Sequence, residues 1–449
     1  MAVPDTDTWL ARTRARLRAR PLFSRILANF GWLSADRVLR LAVGLLVGVW
    51  LARYLGPETF GQYSFAFALA ALFGAFSKLG LDGVLVRELV RAPQRQQELL
   101  ASALVLRLAG GVLAAAGAML CGRFFRSGEA AIQLLVSVAA VALVFQALDV
   151  FEHWFQSQLR SRYAVAAKTS VFLLMAGARV GLIVGGASVV VFAGAAVLEV
   201  LLGGIALLAA YRLAGQGFER WRVTWSAVRG LLRPALPLIF AGLAVSLYMR
   251  IDQVMIARML GDHAVGLYSA ATRLTEATYF LPGALVASVL PAVVSLRTSS
   301  EPQFVDRMQR VFDLMVVAGV SLALPLSLFS GAVVRVLFGE PFADSAGVLA
   351  IHAWASVFVY LGMASSSYLL ARDLTMVSLT RTMLGAVVNV VLNLLLIPEY
   401  GIRGAALATL ISACVATFAV FLDARSRPAG VMMLRAFDPI GVFRRRAAL

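Results

Sequence analysis

The sequence has little charge, little cysteine and little histidine. Charged residues make up 14% of its 449 positions, where a soluble globular chain carries roughly 25%. That scarcity excludes an ordinary soluble domain. The two cysteines, Cys121 and Cys414, lie far apart and offer neither a disulfide framework nor a metal site. The three histidines, His153, His263 and His352, are scattered, so no metal centre is expected. Acids are scarce as well, 24 against 41 basic residues, for a net charge of +17. The N-terminus lacks the signal-peptide order of basic region, short apolar run and cleavage site. It opens on Arg12, Arg14, Arg16, Arg18, Arg20 and Arg25 and passes directly into an apolar run.

What the chain has in abundance is apolar sequence, 60% by composition. Runs of about 20 apolar residues, each long enough to span a bilayer, recur from end to end. The expected fold class is all-α: a polytopic membrane protein of twelve transmembrane helices. In such a protein a basic excess reports orientation before it reports nucleic-acid affinity, so no nucleic-acid partner is expected.

One segment occurs twice. Ala52-Arg53-Tyr54-Leu55-Gly56 and Gly61-Gln62-Tyr63-Ser64 return, 205 residues later, as Ala257-Arg258-Met259-Leu260-Gly261 and Gly266-Leu267-Tyr268-Ser269. The shared frame is A-R-x-L-G-x4-G-x-Y-S. Each copy separates two apolar runs and reads as a tight turn between helices, with a glycine free to take the left-handed conformation. The repeat predicts a duplicated chain, the plan of many secondary transporters. The expected organisation is a basic cytoplasmic segment at 1–30, a six-helix lobe at 31–211 and a cytoplasmic linker at 212–233. A second six-helix lobe follows at 234–423, then a basic cytoplasmic tail at 424–449. The two lobes are expected to be pseudo-symmetric. With these spans, 26 arginines fall on the side of the termini and six on the other. The positive-inside rule therefore places both termini in the cytoplasm.

Charges inside the spans carry most of the functional information, because each costs several kcal/mol unless paired or facing water. Asp36 and Arg40, Lys78 and Asp82, and Arg273 and Glu276 are spaced to pair along one helix. Lys168, Arg107 and Arg381 lie near cytoplasmic ends, where they can snorkel. Asp149 and Glu152 form a close acidic pair near another cytoplasmic end. Arg37 and Arg40 share a face near mid-membrane, Arg179 has no acid on its own helix, and Arg250 and Asp252 point apart and need partners elsewhere. Surplus buried arginine fits an anionic passenger, since the guanidinium fork binds phosphate oxygens in pairs. The expected binding residues are Arg37, Arg40, Arg179, Arg250 and Arg273. Asp252, Glu276 and Glu199 are expected to orient them or couple transport to an ion, with Asp252 positioning one of the arginines.

Several stretches carry a family resemblance: the first repeat unit continuing to Leu79-Gly80-Leu81-Asp82 and Val86-Arg87-Glu88, Arg250-Ile251-Asp252-Gln253, and Asn389 through Pro398 followed by Gly401 and Gly404-Ala405-Ala406. In these the chain resembles bacterial oligosaccharide flippases, the O-antigen and capsule repeat-unit translocases. They belong to the multidrug/oligosaccharidyl-lipid/polysaccharide flippase superfamily. The resemblance implies a non-enzymatic, monomeric transporter in the bacterial inner membrane. It would carry an undecaprenyl-diphosphate-linked oligosaccharide to the periplasmic leaflet for surface polysaccharide biosynthesis. It further implies alternating access without a cofactor, coupling to H+ or Na+, and membrane lipids, a polysaccharide polymerase and export machinery as partners. Two alternatives stand beside it. One is a cation-drug antiporter of the same superfamily, in which acids rather than arginines would dominate the cavity. The other is a membrane glycan polymerase or ligase, which ordinarily needs a large extracytoplasmic loop that this sequence does not show.

Overall fold

The computed structural model describes the backbone of residues 21–286 and 300–438, and their side chains from residue 36 onward. Residues 1–20, 287–299 and 439–449 lie outside the residues so described, and with them Arg12, Arg14, Arg16, Arg18 and Arg20.

The chain is helical throughout these ranges. Helix α1 (Pro21–Lys78) is two limbs joined at Gly56, whose φ of 71° and ψ of 168° interrupt the helix. A short α2 (Leu81–Arg91) follows a turn in which Leu79 and Gly80 both have positive φ. Then come α3 (Gln96–Phe125), α4 (Ala130–Phe145), α5 (Val150–Ser157), α6 (Ser161–Val184) and α7 (Val189–Leu213). The second half consists of α8 (Trp225–Leu260), α9 (Asp262–Ala277), α10 (Glu301–Leu328), α11 (Ser330–Phe338), α12 (Ser345–Ala371), α13 (Thr375–Phe418) and α14 (Arg427–Arg435). Helix α13, like α1, is two limbs, joined at Gly401 with φ 59° and ψ −139°. Nine helical stretches among the described residues are long and apolar enough to cross a membrane. Two of those nine turn internally at these glycines.

The expected linker is shorter than its sequence suggested. Helix α8 already starts at Trp225, capped by the Thr224 side chain, which accepts a hydrogen bond from Ala227 N at 3.2 Å. Pro234 and Pro237 therefore sit inside the helix, roughly two to three turns from its start. The connecting residues are also tied down. The Arg220 amide donates to Gln97 Oε1 at 2.9 Å, and Trp221 stacks on Phe151.

The two copies of the repeated turn pack against each other. A Cβ added to Gly61 would strike the backbone of Asp262, and one added to Gly266 would strike the backbone of Pro57. Pro57 and Asp262 occupy the same place in the two copies, as do Gly61 and Gly266. The contact is thus reciprocal, and only glycine allows backbones so close. Around it lies the largest apolar cluster, which mixes both halves: Phe60 and Phe65 with Val265, Tyr268, Phe338 and Ile397. Two crossed contacts reinforce this end. Arg126 of the first half donates to Ala257 O and pairs with Asp262, and Arg53 reaches across to Val336 O at 2.6 Å. At the other end the apolar residues form two separate clusters among the described residues. One joins α2, α3, α5 and α7 to the start of α8; the other joins α10, α12 and α14. Among the described residues the halves interlock at the repeated turns, while at the opposite end the apolar packing divides into two clusters, one of which includes the start of α8.

Candidate functional site

Between the halves lies a cavity of about 550 Å³. Helix α1 supplies Arg40, Phe60, Tyr63 and Ser64 to its wall, α8 supplies Arg250 and Gln253, and α9 supplies Ser269, Thr272, Arg273 and Glu276. Ser64 and Ser269, the last residues of the two repeat copies, face the same space.

Each cavity arginine has a distinct setting. Arg250 makes a two-pronged pair with Glu276, Nη1 to Oε1 at 3.1 Å and Nη2 to Oε2 at 3.0 Å. Arg40 Nε pairs with Asp36 at 2.8 Å, Thr169 bridges the same pair, and the guanidinium lies 5.0 Å from the Phe172 ring centroid. Arg273 has no carboxylate within ion-pair distance among the described residues. Its guanidinium sits 5.6 Å from the centroid of Phe60, and its Nη1 is buried without a hydrogen-bond partner. Gly48 makes room for it, since a Cβ there would strike the guanidinium. With Arg40 and Arg250 matched by acids, Arg273 leaves the wall with a net positive charge and one unsatisfied donor.

Of the residues singled out from the sequence, Arg40, Arg250, Arg273 and Glu276 come together here. Arg179 does not line this cavity. It pairs with Glu199 on the neighbouring helix at 2.6 Å. Glu199 instead faces an adjoining cavity of about 280 Å³, shared with Arg40, Lys78, Asp149 and Lys168. Arg37 is exposed and lines neither space.

Several expected pairings are corrected. Asp252 does not position an arginine; Arg250 is held by Glu276, and Glu276 is thereby unavailable to Arg273. Lys78 and Asp82 do not pair along a helix, because the positive φ of Leu79 and Gly80 breaks it between them. Asp82 turns instead to Arg107, 3.3 Å away, and His153, 3.2 Å away. Arg107 is 1% exposed and so does not snorkel. Lys168 likewise is held by Asp149 at 3.0 Å and Glu152 at 2.8 Å, which leaves that acidic pair occupied.

Asp252 belongs to a separate buried polar cluster. It accepts from the Tyr268 hydroxyl, from Gln253 N at 2.9 Å and from Thr409 Oγ1 at 3.5 Å. Asn389 donates to Thr409 and Ser412, and Asn393 Nδ2 donates to Asn389 at 3.0 Å, while Asn393 Oδ1 has no partner. No cation pairs with Asp252 among the described residues. Sequence reasoning missed Tyr268 and Thr409 as its partners and Asn389 and Asn393 as members of the cluster, although Tyr268 is the tyrosine of the repeat. The cavity-lining Ser64, Ser269, Gln253 and Thr272 were also missed; the repeated serine was the signal that could have found the first two.

A polytopic helical membrane protein that encloses a charged cavity between two halves has the architecture of a transporter. Residues 26–296 match the family of polysaccharide biosynthesis proteins, and the chain belongs to that family. It is 24% identical over 221 residues to the "Probable low-salt glycan biosynthesis flippase Agl15" of Haloferax volcanii, covering 48% of this chain and 46% of that one. The chain thus aligns with about half the length of the curated relatives it matches. Its fold is that of an inward-facing multidrug resistance MATE family transporter of the MOP superfamily (TM-score 0.70, 18% identity, 88% of this chain and 98% of that one). It is also that of the lipid II flippase MurJ in an inward closed conformation (TM-score 0.68, 14% identity, 91% of each chain).

Proposed function

We propose that this protein is a flippase for lipid-linked oligosaccharides, with an undecaprenyl-diphosphate carrier as the anionic part of its substrate. The single observation that carries this reading is the cavity with Arg273 unmatched by any acid among the described residues. An unpaired guanidinium in a low-dielectric space costs several kcal/mol, and a diphosphate would offset that cost with charge-assisted hydrogen bonds. The match to flippase-named relatives supports the same substrate class. A cation-drug antiporter would need the opposite sign on this wall. The chain is on this reading a transporter and not an enzyme.

Movement would follow alternating access. The two halves, 31–211 and 234–423, would rock about the interlocked turns, with the interlocked end facing the periplasm and the opposite end the cytoplasm. The reciprocal contacts of Gly61 and Gly266 suit a pseudo-two-fold axis along the membrane normal. Asp252 is the natural coupling group. A buried carboxylate without a cationic side chain is favourable only if it is protonated or holds a cation, and the free Asn393 Oδ1 offers an oxygen beside the cluster.

The test is translocation of a fluorescent prenyl-diphosphate oligosaccharide in proteoliposomes, followed by quenching at the outer face. Transport is expected, and it should rise when a proton or sodium gradient is imposed. Asp252→Asn should remove the gradient's effect while leaving downhill movement. Failure of the wild type to move the probe under any gradient would sink the reading.

Orientation has its own check. Reporter fusions after residues 95, 225, 303 and 430 should read cytoplasmic, and those at 58, 126, 262 and 400 periplasmic. An inversion anywhere in the series would remove the twelve-span arrangement.

A further inference from the structure

A second cavity, of about 360 Å³, lies wholly within the second half and shares no lining residue with the first. Its wall is mostly apolar, with Val245, Met249, Phe358, Met363 and Ala413 among its residues. One charged side chain enters it, Arg381, which is 7% exposed. Arg381 Nη2 donates to Gly362 O at 2.7 Å and to Ser366 Oγ at 2.5 Å. No carboxylate lies within ion-pair distance among the described residues, and its Nε is buried without a partner.

This arrangement is unlike that of Arg107, whose burial is answered by Asp82 and His153. Two bonds to neutral oxygens offset only part of the cost of burying a cation. Water could satisfy Nε, but it would gain nothing from the apolar wall. A ligand that answers both features has an anionic head and an apolar chain. The volume admits on the order of a dozen heavy atoms, taking about 30 Å³ for each water-sized group. That is a phosphate or carboxylate with the first carbons of one chain, not a whole phospholipid. Val245, on the wall, is exposed at the protein surface, so the rest of a chain has a way out beside it.

We propose that this cavity binds the head and proximal chain of an anionic membrane lipid, with Arg381 as its counter-ion. The site is independent of the transport reading above, because none of its residues line the cavity between the halves.

The experiment uses the full chain in phosphatidylcholine nanodiscs, with radiolabelled dodecyl phosphate as probe and dodecanol as the uncharged control. Arg273→Gln serves as the background, so that any binding in the central cavity is removed. Saturable binding of dodecyl phosphate should persist there, dodecanol should not compete, and adding Arg381→Gln should weaken binding at least tenfold. Met363→Trp, which fills the cavity and leaves the arginine in place, should weaken it similarly and decides the matter if Arg381→Gln does not fold. Arg381→Lys should retain part of the affinity. Lipids extracted from the purified wild type identify the source. Prenyl phosphate or an anionic phospholipid, either one depleted in both variants, agrees with the proposal. Unchanged binding in both folded variants, or no saturable binding in the Arg273→Gln background, overturns it; in that case water alone answers Arg381.

Discussion

Arg273→Gln is expected to abolish surface glycan in a complemented flippase-null strain while the protein still accumulates in the membrane. Arg273 is the cleanest of the cavity arginines to remove, because no carboxylate is stranded by its loss. Each charge-assisted hydrogen bond to a phosphate is worth roughly 1.5–3 kcal/mol, so translocation should fall about 10- to 100-fold for every bond removed. The other arginines need compensated variants. Arg250→Ala leaves Glu276 unpaired on the wall and cancels the positive charge that Arg273 supplies, so it should be inactive for two reasons at once. Arg250→Ala combined with Glu276→Ala separates them by restoring neutrality. Arg250→Lys keeps the charge but loses the two-pronged geometry and should be partly active. Arg40→Ala and Arg179→Ala strand Asp36 and Glu199 in the same way, whereas Arg37 has no acidic partner among the described residues. Should Arg273→Gln and the Arg250/Glu276 double variant both restore glycan fully at normal protein levels, the cationic cavity is not the carrier site.

The second large effect is expected from Gly61→Ala and Gly266→Ala. Each adds one Cβ where the backbone of the other half already lies. Overpacking of this kind costs about 1–3 kcal/mol, and each 1.4 kcal/mol shifts a two-state equilibrium tenfold. The interlocked end, periplasmic in the proposed orientation, should therefore open, and the state closed at that end should lose population. A cysteine at Ser269, with Cys121 and Cys414 replaced, reports it. A membrane-impermeant maleimide added outside should label this cysteine slowly in the parent and at least tenfold faster in either glycine variant. Transport should drop in parallel, since one of the two states has become costly. Equal labelling rates with full transport would mean that the turns do not form the seal.

Much of this arrangement was legible in the sequence, and the limits have physical causes. The repeated turn, its glycines and the helical class were readable because they depend on local patterns. The Asp36–Arg40 pair was readable because four residues make one helical turn. Lys78 and Asp82 have the same spacing yet fail to pair, because Leu79 and Gly80 break the helix between them. Arg250–Glu276 and Arg179–Glu199 could not be read, since spacing along one helix is silent about which residues face across to another. The same limit hid the partners of Asp252, which come from α9 and α13. The twelve-fold count of spans is likewise a pattern-level expectation; α1 and α13 show how one continuous helical stretch can hide a turn at a single glycine.

The reciprocity of the two turns also constrains how the chain can change over generations. Gly61 is answered by the backbone at 262, and Gly266 by the backbone at 57, so each copy is the template against which the other is fitted. A larger residue at either glycine cannot be rescued by a smaller side chain opposite, because what lies opposite is main chain. The two copies are free to diverge at Tyr54 and Met259, or at Pro57 and Asp262, where only side chains differ. At the paired glycines they must be inherited as one unit, however unlike the two halves become elsewhere.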